Sequence, residues 1–130
     1  MKKLVLIIVL FTLSLCADTI NLTKAEKDYL KNKEHLSVMN VDKFYPFTFV
    51  ENGKATGYTV DVMKLMGQQI NKEIKFITNP WNVQLKNLQN GSLDIMPYIV
   101  RTKKRESFVE FTDFTHITFL IGFAVHKTDE

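Results

Sequence analysis

Hydrophobic residues alternate with polar ones in some stretches of the chain and recur every three or four residues in others. Alternation is typical of β-strands, and the longer spacing is typical of helices with one apolar face. Strands are predicted over residues 36–41, 47–50, 73–78, 93–99, 108–111 and 116–125. Helices are predicted over residues 23–32, 59–70, 80–90 and, for a turn or two, 102–107. Strands that alternate with helices predict an α/β fold with a mainly parallel sheet flanked by helices.

Local signals mark where several of these elements begin and turn. Thr23 and Glu26 have the spacing of a capping box, in which each side chain pairs with a free backbone N–H of the first helical turn. The pair Asn52-Gly53 predicts a hairpin turn, because both residues tolerate positive φ. Asn79 is expected to cap the third helix, with Pro80 as its first residue.

The third predicted helix carries three large apolar side chains at helical spacing. Trp81, Leu85 and Leu88 are expected to form its buried face, although Trp81 could instead contact a ligand. The pair Asn90-Gly91 is expected to end the helix.

The first 17 residues predict the compartment. A short basic start precedes an apolar run over residues 4–15, which is shorter than the roughly 20 residues that a membrane-spanning helix needs. This pattern is typical of a secretory signal peptide, so residues 1–17 are predicted to be cleaved after Ala17 and the protein is expected in the periplasm. Lipidation of Cys16 and a retained N-terminal anchor are the two alternatives.

Composition and charge exclude several classes of function. Removing Lys2 and Lys3 from the 17 basic residues leaves 15 against 14 acidic ones, so nucleic acid is not a predicted partner. The single cysteine excludes a disulfide scaffold. The three histidines share no helical face, and no metal or other cofactor is expected.

Ligands of parallel sheets bind beyond the carboxyl ends of the strands. The loops at those ends are 42–46, 79–81 and 97–105, and they bring aromatic residues, an arginine and a helix N-terminus to one edge. This combination predicts a site for a small anion or zwitterion.

Six short motifs occur along the chain in a specific order. They are the segments 22–27, 38–49, 51–54 and 57–62, the set Trp81, Leu85, Leu88, Asn90-Gly91 and Asp94, and the segment 102–105 with Phe111-Thr112. On these motifs the chain resembles the N-terminal lobe of the bacterial extracellular solute-binding proteins of family 3, which have the type II periplasmic binding protein fold. It is most similar to the branch that serves as sensor domains of histidine kinases and diguanylate cyclases.

The resemblance implies a role for particular residues. In the family, the arginine of the Thr-x-x-Arg element forks onto the ligand carboxylate, and Arg105 holds that position here. Phe44 stands where an aromatic side chain commonly packs on the ligand. The complete predicted ligand-binding set is Phe44, Tyr45, Trp81, Tyr98, Arg101, Thr102 and Arg105. The alternatives are a surface role for Arg105, core packing for Phe44, and solvation for Tyr98 and Arg101.

Two departures from the family pattern bear on the ligand. Val100 stands where the amino-acid binders carry a hydroxyl residue, so the ligand class stays open, although backbone groups of Arg101 and Thr102 can compensate. The second lobe would follow residue 127, so residues 18–130 are expected to form one lobe only. A second lobe, a membrane permease or a sensor kinase or cyclase on another chain is the expected partner.

The expected function is therefore binding of a small solute, without catalysis. A lone lobe is expected to bind weakly, at millimolar concentration, and to self-associate through the apolar stretch 117–125. One alternative is a truncated remnant or interaction module without ligand. The other is a dehydratase or cell-wall lytic enzyme, whose general acid would come from Asp42, Asp61 or Asp94.

Overall fold

The structure, a computed structural model, describes residues 20–118. The predicted leader and residues 119–125 of the last predicted strand lie outside this range. The elements are α1 (Lys24–Asn32), β1 (His35–Asn40), β2 (Lys43–Phe44), β3 (Thr48–Glu51), β4 (Lys54–Thr56), α2 (Tyr58–Gln69), β5 (Glu73–Thr78), α3 (Trp81–Gln89) and α4 (Lys103–Glu106).

Strand β1 is the centre of a parallel sheet. It pairs with β5 from His35 opposite Glu73 to Asn40 opposite Thr78. On its other side, Val38 forms a parallel bridge with Ile95. The residues of β1 from 36 to 40 are all buried, as expected of a strand covered on both faces. The predicted α/β fold with a parallel sheet is confirmed.

The strand predicted over residues 93–99 is reduced to the single bridge at Ile95, so that prediction was wrong in extent. Met39 N donates to Ile95 O at 2.9 Å, and Ile95 N donates to Ser37 O at 3.0 Å. The ladder stops on one side because the Ser37 N–H donates to the side chain of Asp94 (2.8 Å) rather than to a backbone carbonyl. It stops on the other because Pro97, the next position in the pattern, has no N–H.

A small antiparallel sheet, β2–β3–β4, lies beside the parallel one. Its β3–β4 hairpin turns at Asn52 (φ 51°) and Gly53 (φ 74°), which confirms the predicted turn. Gly57 (φ 119°) then starts α2, and a Cβ there would lie 2.5 Å from Phe47 O. A residue without a Cβ is therefore needed at position 57, where the start of α2 lies against the backbone of Phe47.

Two predicted helices take their predicted roles. The capping box of α1 forms, because Thr23 N donates to Glu26 Oε2 (2.7 Å) and Glu26 N donates to Thr23 Oγ1 (3.3 Å). No residue of α1 is buried, so it is the polar surface helix that its sequence predicts. Helix α2 buries Val60 and Met63, which form an apolar stripe at helical spacing, whereas Leu65 is 60% exposed.

Helix α3 differs from its prediction in two respects. Pro80, not Asn79, is the capping residue, and no side chain of residues 20–118 caps the helix. Leu85 and Leu88 pack against the core residues Met39, Leu93 and Met96, as predicted. Trp81 does not join them and is 39% exposed, so the prediction of a buried Trp81 was wrong.

The chain after α3 is mostly irregular. Helix α4 forms within the stretch predicted as helical, but residues 108–111 form no strand. There, Phe108 N and Val109 N both donate to Arg105 O, at 3.0 and 2.8 Å. These N–H groups turn back onto α4 and are not available to a sheet.

Candidate functional site

The three loops at the carboxyl edge of the sheet meet, as predicted. The guanidinium carbon of Arg105 lies 6.0 Å from the centre of the Trp81 ring, which joins the third loop to the start of α3. The rings of Phe44 and Tyr98 are 5.3 Å apart, which joins the third loop to the first. These contacts define two halves of a candidate site.

The first half is the pair of Arg105 and Trp81. Arg105 Nη1 donates to Val100 O at 2.7 Å, and this is the only side-chain hydrogen bond of Arg105 within residues 20–118. A guanidinium has five N–H donors in one plane. No carboxylate among the described residues pairs with Arg105, so donors on Nε and Nη2 are available to a ligand.

Arg101 and Thr102 take positions different from that of Arg105. Arg101 lies 3.5 Å from Glu106 (Nη1 to Oε1), and its guanidinium carbon is 4.8 Å from the centre of the Phe111 ring. Thr102 caps α4, accepting a hydrogen bond from Arg105 N at 3.3 Å. The side chains of both residues thus have intramolecular partners, and Thr102 orients the turn that carries Arg105.

The second half of the site is aromatic and partly internal. The Tyr98 hydroxyl is hydrogen-bonded to the buried Thr48 Oγ1 at 2.7 Å. Burial raises the pKa of Tyr98, and the Thr48 hydrogen bond offsets only part of that effect. Phe44 also contacts Phe47, at 5.3 Å between ring centres. These contacts are those of a packed cluster, so the core alternative for Phe44 applies at least to part of its ring.

Tyr45 lies at the outer rim of this half. Its ring stacks on Phe49 with 4.4 Å between centres, and 65% of the residue is exposed. It is accessible to a partner or to a ligand that reaches the rim.

A buried polar cluster lies beneath the first half, and the sequence reasoning missed it. Asn40 and Gln84 are both fully buried. Asn40 Nδ2 donates to Thr78 Oγ1 at 2.9 Å, while Gln84 Nε2 donates to Asn40 O (3.3 Å) and to Ile77 O. The oxygens Asn40 Oδ1 and Gln84 Oε1 have no hydrogen-bond partner among the residues that the structure describes. The available signal was the position of Gln84, which lies three residues after Trp81 and four before Leu88, on the predicted apolar face.

The electrostatics of the edge favour an anionic group. Residues 101–106 carry four cations, and Glu106, the one acidic residue of this segment, pairs with Arg101. Among residues 20–118, no cluster of histidine, cysteine and acidic side chains could hold a metal ion. No helix in the same range is long and apolar enough to cross a membrane.

Two of the three acidic residues considered as catalytic, Asp94 and Asp61, have other roles or positions, whereas the third, Asp42, is exposed at the start of the loop 42–46. Asp94 lies at the opposite, amino edge of the sheet, where Lys33 and Ser37 donate hydrogen bonds to it. Burial raises the pKa of Asp94, but these hydrogen bonds outweigh that effect and lower it to about 2. Asp61 is exposed on α2 and lies 3.7 Å from Lys64.

Known proteins match most of the chain. The family model of the bacterial extracellular solute-binding proteins, family 3, matches residues 36–130. A probable amino-acid-binding protein of Bacillus subtilis, YxeM, is 32% identical over 85 residues, which cover 62% of this chain and 32% of that protein. A probable histidine-binding protein of Neisseria gonorrhoeae is 33% identical over 73 residues, which cover 55% of this chain and 27% of that protein. The chain spans about a third of the length of these curated relatives.

A solved structure of similar extent has the same architecture. It is domain 1 of TmArgBP from T. maritima, a point mutant in the arginine-bound form. It is 29% identical, with a TM-score of 0.57, and the match covers 67% of this chain and 69% of that domain. Since the family model covers nearly all of the chain beyond α1, and the parallel sheet has the form of a lobe of these proteins, the chain belongs to the bacterial extracellular solute-binding proteins of family 3.

Proposed function

We propose that residues 18–130 form the ligand-binding lobe of an exported amino-acid-binding protein, in which Arg105 receives the carboxylate of the solute. The observation that carries this proposal is the set of partners around the Arg105 guanidinium. Its guanidinium is held by one hydrogen bond to Val100 O and by the Trp81 ring, and its remaining donors have no partner within the described residues. A cation fixed on one side and open on the other suits bidentate capture of a carboxylate.

The proposed ligand is zwitterionic, with its carboxylate on this lobe. The positive charge of residues 101–106 favours the anionic end of the ligand. The side chain of Val100 is 71% exposed and has no hydroxyl, so this position offers nothing to an ammonium group beyond its backbone. Relatives named for amino acids or histidine, and an arginine-bound domain, support an amino acid as the ligand.

We further propose that the carboxyl edge is covered by a second lobe when the ligand is bound. Tyr45 and Val100 are 65% and 71% exposed in the loops at this edge, and a second lobe that closed over the edge would bury them. A single related domain is arginine-bound, which supports some binding by one lobe alone. The predicted downstream partner is a membrane permease or a sensor kinase or cyclase on another chain.

A non-enzymatic role is part of the proposal. The low pKa of Asp94 makes it a permanent anion at neutral pH, and it lies at the edge away from Arg105. The exposed Asp61 on α2 has Lys64 as its neighbour. A general acid needs a proton to donate near the ligand, and neither residue fits that requirement. Of the three candidates this leaves the exposed Asp42 in the loop 42–46, which would have to act in the enzyme alternative.

The test uses the chain expressed with its own N-terminus and purified from the periplasm. Mass spectrometry of the purified protein identifies cleavage after Ala17, a lipid on Cys16 or an intact leader. If the protein is found in neither the periplasm nor the membranes, the proposal that it is exported is refuted.

Calorimetry then compares ligands that differ only in the carboxylate, L-arginine against agmatine and L-histidine against histamine, with L-glutamate as an anionic probe. We expect the amino acids to bind and their decarboxylated analogues not to bind. Arg105→Ala should weaken binding about 10- to 100-fold, the loss of a charge-assisted pair. Arg101→Ala is the matched control, because Arg101 already pairs with Glu106. Equal binding of arginine and agmatine, or equal effects of the two substitutions, would refute the proposal.

A further inference from the structure

Gln84 is the most deeply buried polar side chain of α3, and it lies directly beneath the candidate site. Its residue exposure is 0%, and its Nε2 donates to the backbone oxygens of Asn40 and Ile77. Asn40 is the last residue of β1, and Ile77 is the penultimate residue of β5. One carboxamide therefore joins the first turn of α3 to the ends of two parallel strands.

This arrangement is not what packing alone would select. Gln84 Oε1 is buried and has no hydrogen-bond partner within the described residues. An unpaired buried acceptor costs free energy that an apolar side chain of the same length, such as methionine, would avoid. The two hydrogen bonds of Nε2 are what an apolar residue could not supply.

The position of Gln84 relative to Trp81 suggests what these hydrogen bonds do. Residues three apart on a helix lie on the same face, so Gln84 lies about one turn along α3 from the indole of Trp81. The two hydrogen bonds that Gln84 Nε2 donates to Asn40 O and Ile77 O are called the clamp. Among residues 20–118 no side chain caps α3, and Pro80 contributes no N–H to that turn. The hydrogen bonds of Gln84 Nε2 therefore add to the backbone bonds that Val83 N and Gln84 N donate to Pro80 O. The Trp81 ring, in turn, lies 6.0 Å from the guanidinium carbon of Arg105.

We propose that Gln84 is a positioning residue, which holds the first turn of α3 on the strand ends and thereby places Trp81 against Arg105. Its consequence for affinity rests on the function proposed above, whereas the placement itself is independent of any ligand. Loss of the clamp lets the first turn of α3 shift, and the indole then leaves the guanidinium.

The test exploits the fact that Trp81 is the only tryptophan of the chain, so all tryptophan fluorescence comes from the indole that lies beside Arg105. Arg105→Ala is measured in three backgrounds: the natural sequence, Gln84→Met and Gln89→Met. Gln89 is the matched control, since it is an exposed glutamine at the other end of the same helix. The readouts are the emission maximum and the acrylamide quenching constant, on samples shown to be folded by circular dichroism.

We expect Arg105→Ala to shift the emission of Trp81 in the natural and Gln89→Met backgrounds, and by less than half as much in Gln84→Met. Gln84→Met alone should raise the quenching constant about 1.5-fold or more. An equal shift in all three backgrounds, or none in the natural sequence, would overturn the proposal. If Gln84→Met does not fold, Gln84→Asn, whose amide is one methylene too short to reach both carbonyls, gives the same comparison.

Calorimetry with L-histidine and L-arginine separates this inference from the proposed function. If the fluorescence coupling is present but neither amino acid binds, the proposed function fails and the positioning role stands. If an amino acid binds with the same affinity to Gln84→Met and to the natural sequence, and the coupling is absent, the positioning role fails alone.

Discussion

At the amino edge of the sheet, the carboxylate of Asp94 accepts hydrogen bonds from helix α1, from the residue that follows it and from strand β1. Its Oδ1 accepts from Lys33 Nζ at 2.5 Å and from Tyr29 Oη at 3.4 Å. Its Oδ2 accepts from Ser37 N at 2.8 Å and from Ser37 Oγ at 2.7 Å. Tyr29 belongs to α1 and Ser37 to β1, so this one side chain links the surface helix to the central strand.

The magnitude of this contribution follows from the pKa of Asp94. Burial raises it, but the hydrogen bonds from Lys33 and Ser37 dominate and lower it from 3.8 to about 2. The side chain of Asp94 is 12% exposed and that of Lys33 is 34% exposed, so solvent screens part of their interaction. At about 1.4 kcal/mol per unit of pKa shift, and after allowance for solvent screening, the charged form contributes about 2 kcal/mol to the free energy of unfolding.

The sign of the pH dependence is set by the lowered pKa. The stabilisation is complete above the unfolded-state value near 4 and disappears as the pH falls from about 4 to about 2. Asp94→Asn removes the charge and replaces one acceptor oxygen with an NH₂ group, which faces the donors of either Lys33 or Ser37. We expect it to lower the free energy of unfolding by about 2 kcal/mol at pH 7, with the difference shrinking toward pH 2.

Urea denaturation monitored by circular dichroism at a series of pH values between 2 and 7 measures this difference. Asp61→Asn is the control, because the exposed Asp61 has only Lys64 at 3.7 Å and should change stability by less than about 0.5 kcal/mol. A difference below about 0.5 kcal/mol for Asp94→Asn at pH 7, or one that is the same at pH 2 and pH 7, would refute the reasoning.

Two further substitutions test the packing on which the site rests. Gly67→Ala should destabilise the protein by about 1–3 kcal/mol in urea denaturation, since a Cβ would lie 2.6 Å from Lys72 O and from Ile74 Cγ1, and the backbone oxygen cannot move aside cheaply. Tyr98→Phe should cost about 1–2 kcal/mol by the same measurement, because it leaves the buried Thr48 hydroxyl without its partner while keeping the aromatic ring.

Each of these substitutions has a control of the same type in the chain. Gln68→Ala tests alanine at the neighbouring, exposed position of α2, and Tyr58→Phe removes a hydroxyl from a tyrosine that is 51% exposed. Both controls should change stability by less than about 0.5 kcal/mol. Stability of Gly67→Ala or Tyr98→Phe equal to that of its control would contradict the packing described here.

The regular elements could be predicted because their signals are local. The capping box at Thr23, the hairpin at Asn52-Gly53 and the apolar stripe of α2 each lie within a few residues of one another, and each forms. The parallel order followed from the alternation of strands and helices, and the meeting of three loops at one edge followed from that order.

The partners of individual side chains could not be predicted in this way. Two arginines four residues apart in the sequence have different surroundings, Arg105 beside Trp81 and Arg101 beside Glu106 and Phe111. Nothing in their spacing separates them, because the partners are set by how the loops fold over the sheet.

By itself, the sequence determined the helices, the strands close to residues 36–41, 47–50 and 73–78, and which loop carries the arginine, since hydrophobic period and turn chemistry act over a few residues. The tertiary structure alone decided that Gln84 is buried, that the Tyr98 hydroxyl faces Thr48, and that the third strand shortens to Ile95. Each of these depends on a donor or acceptor from a distant segment. A buried polar group takes the partner that folding brings within about 3 Å, and periodicity carries no information about that partner.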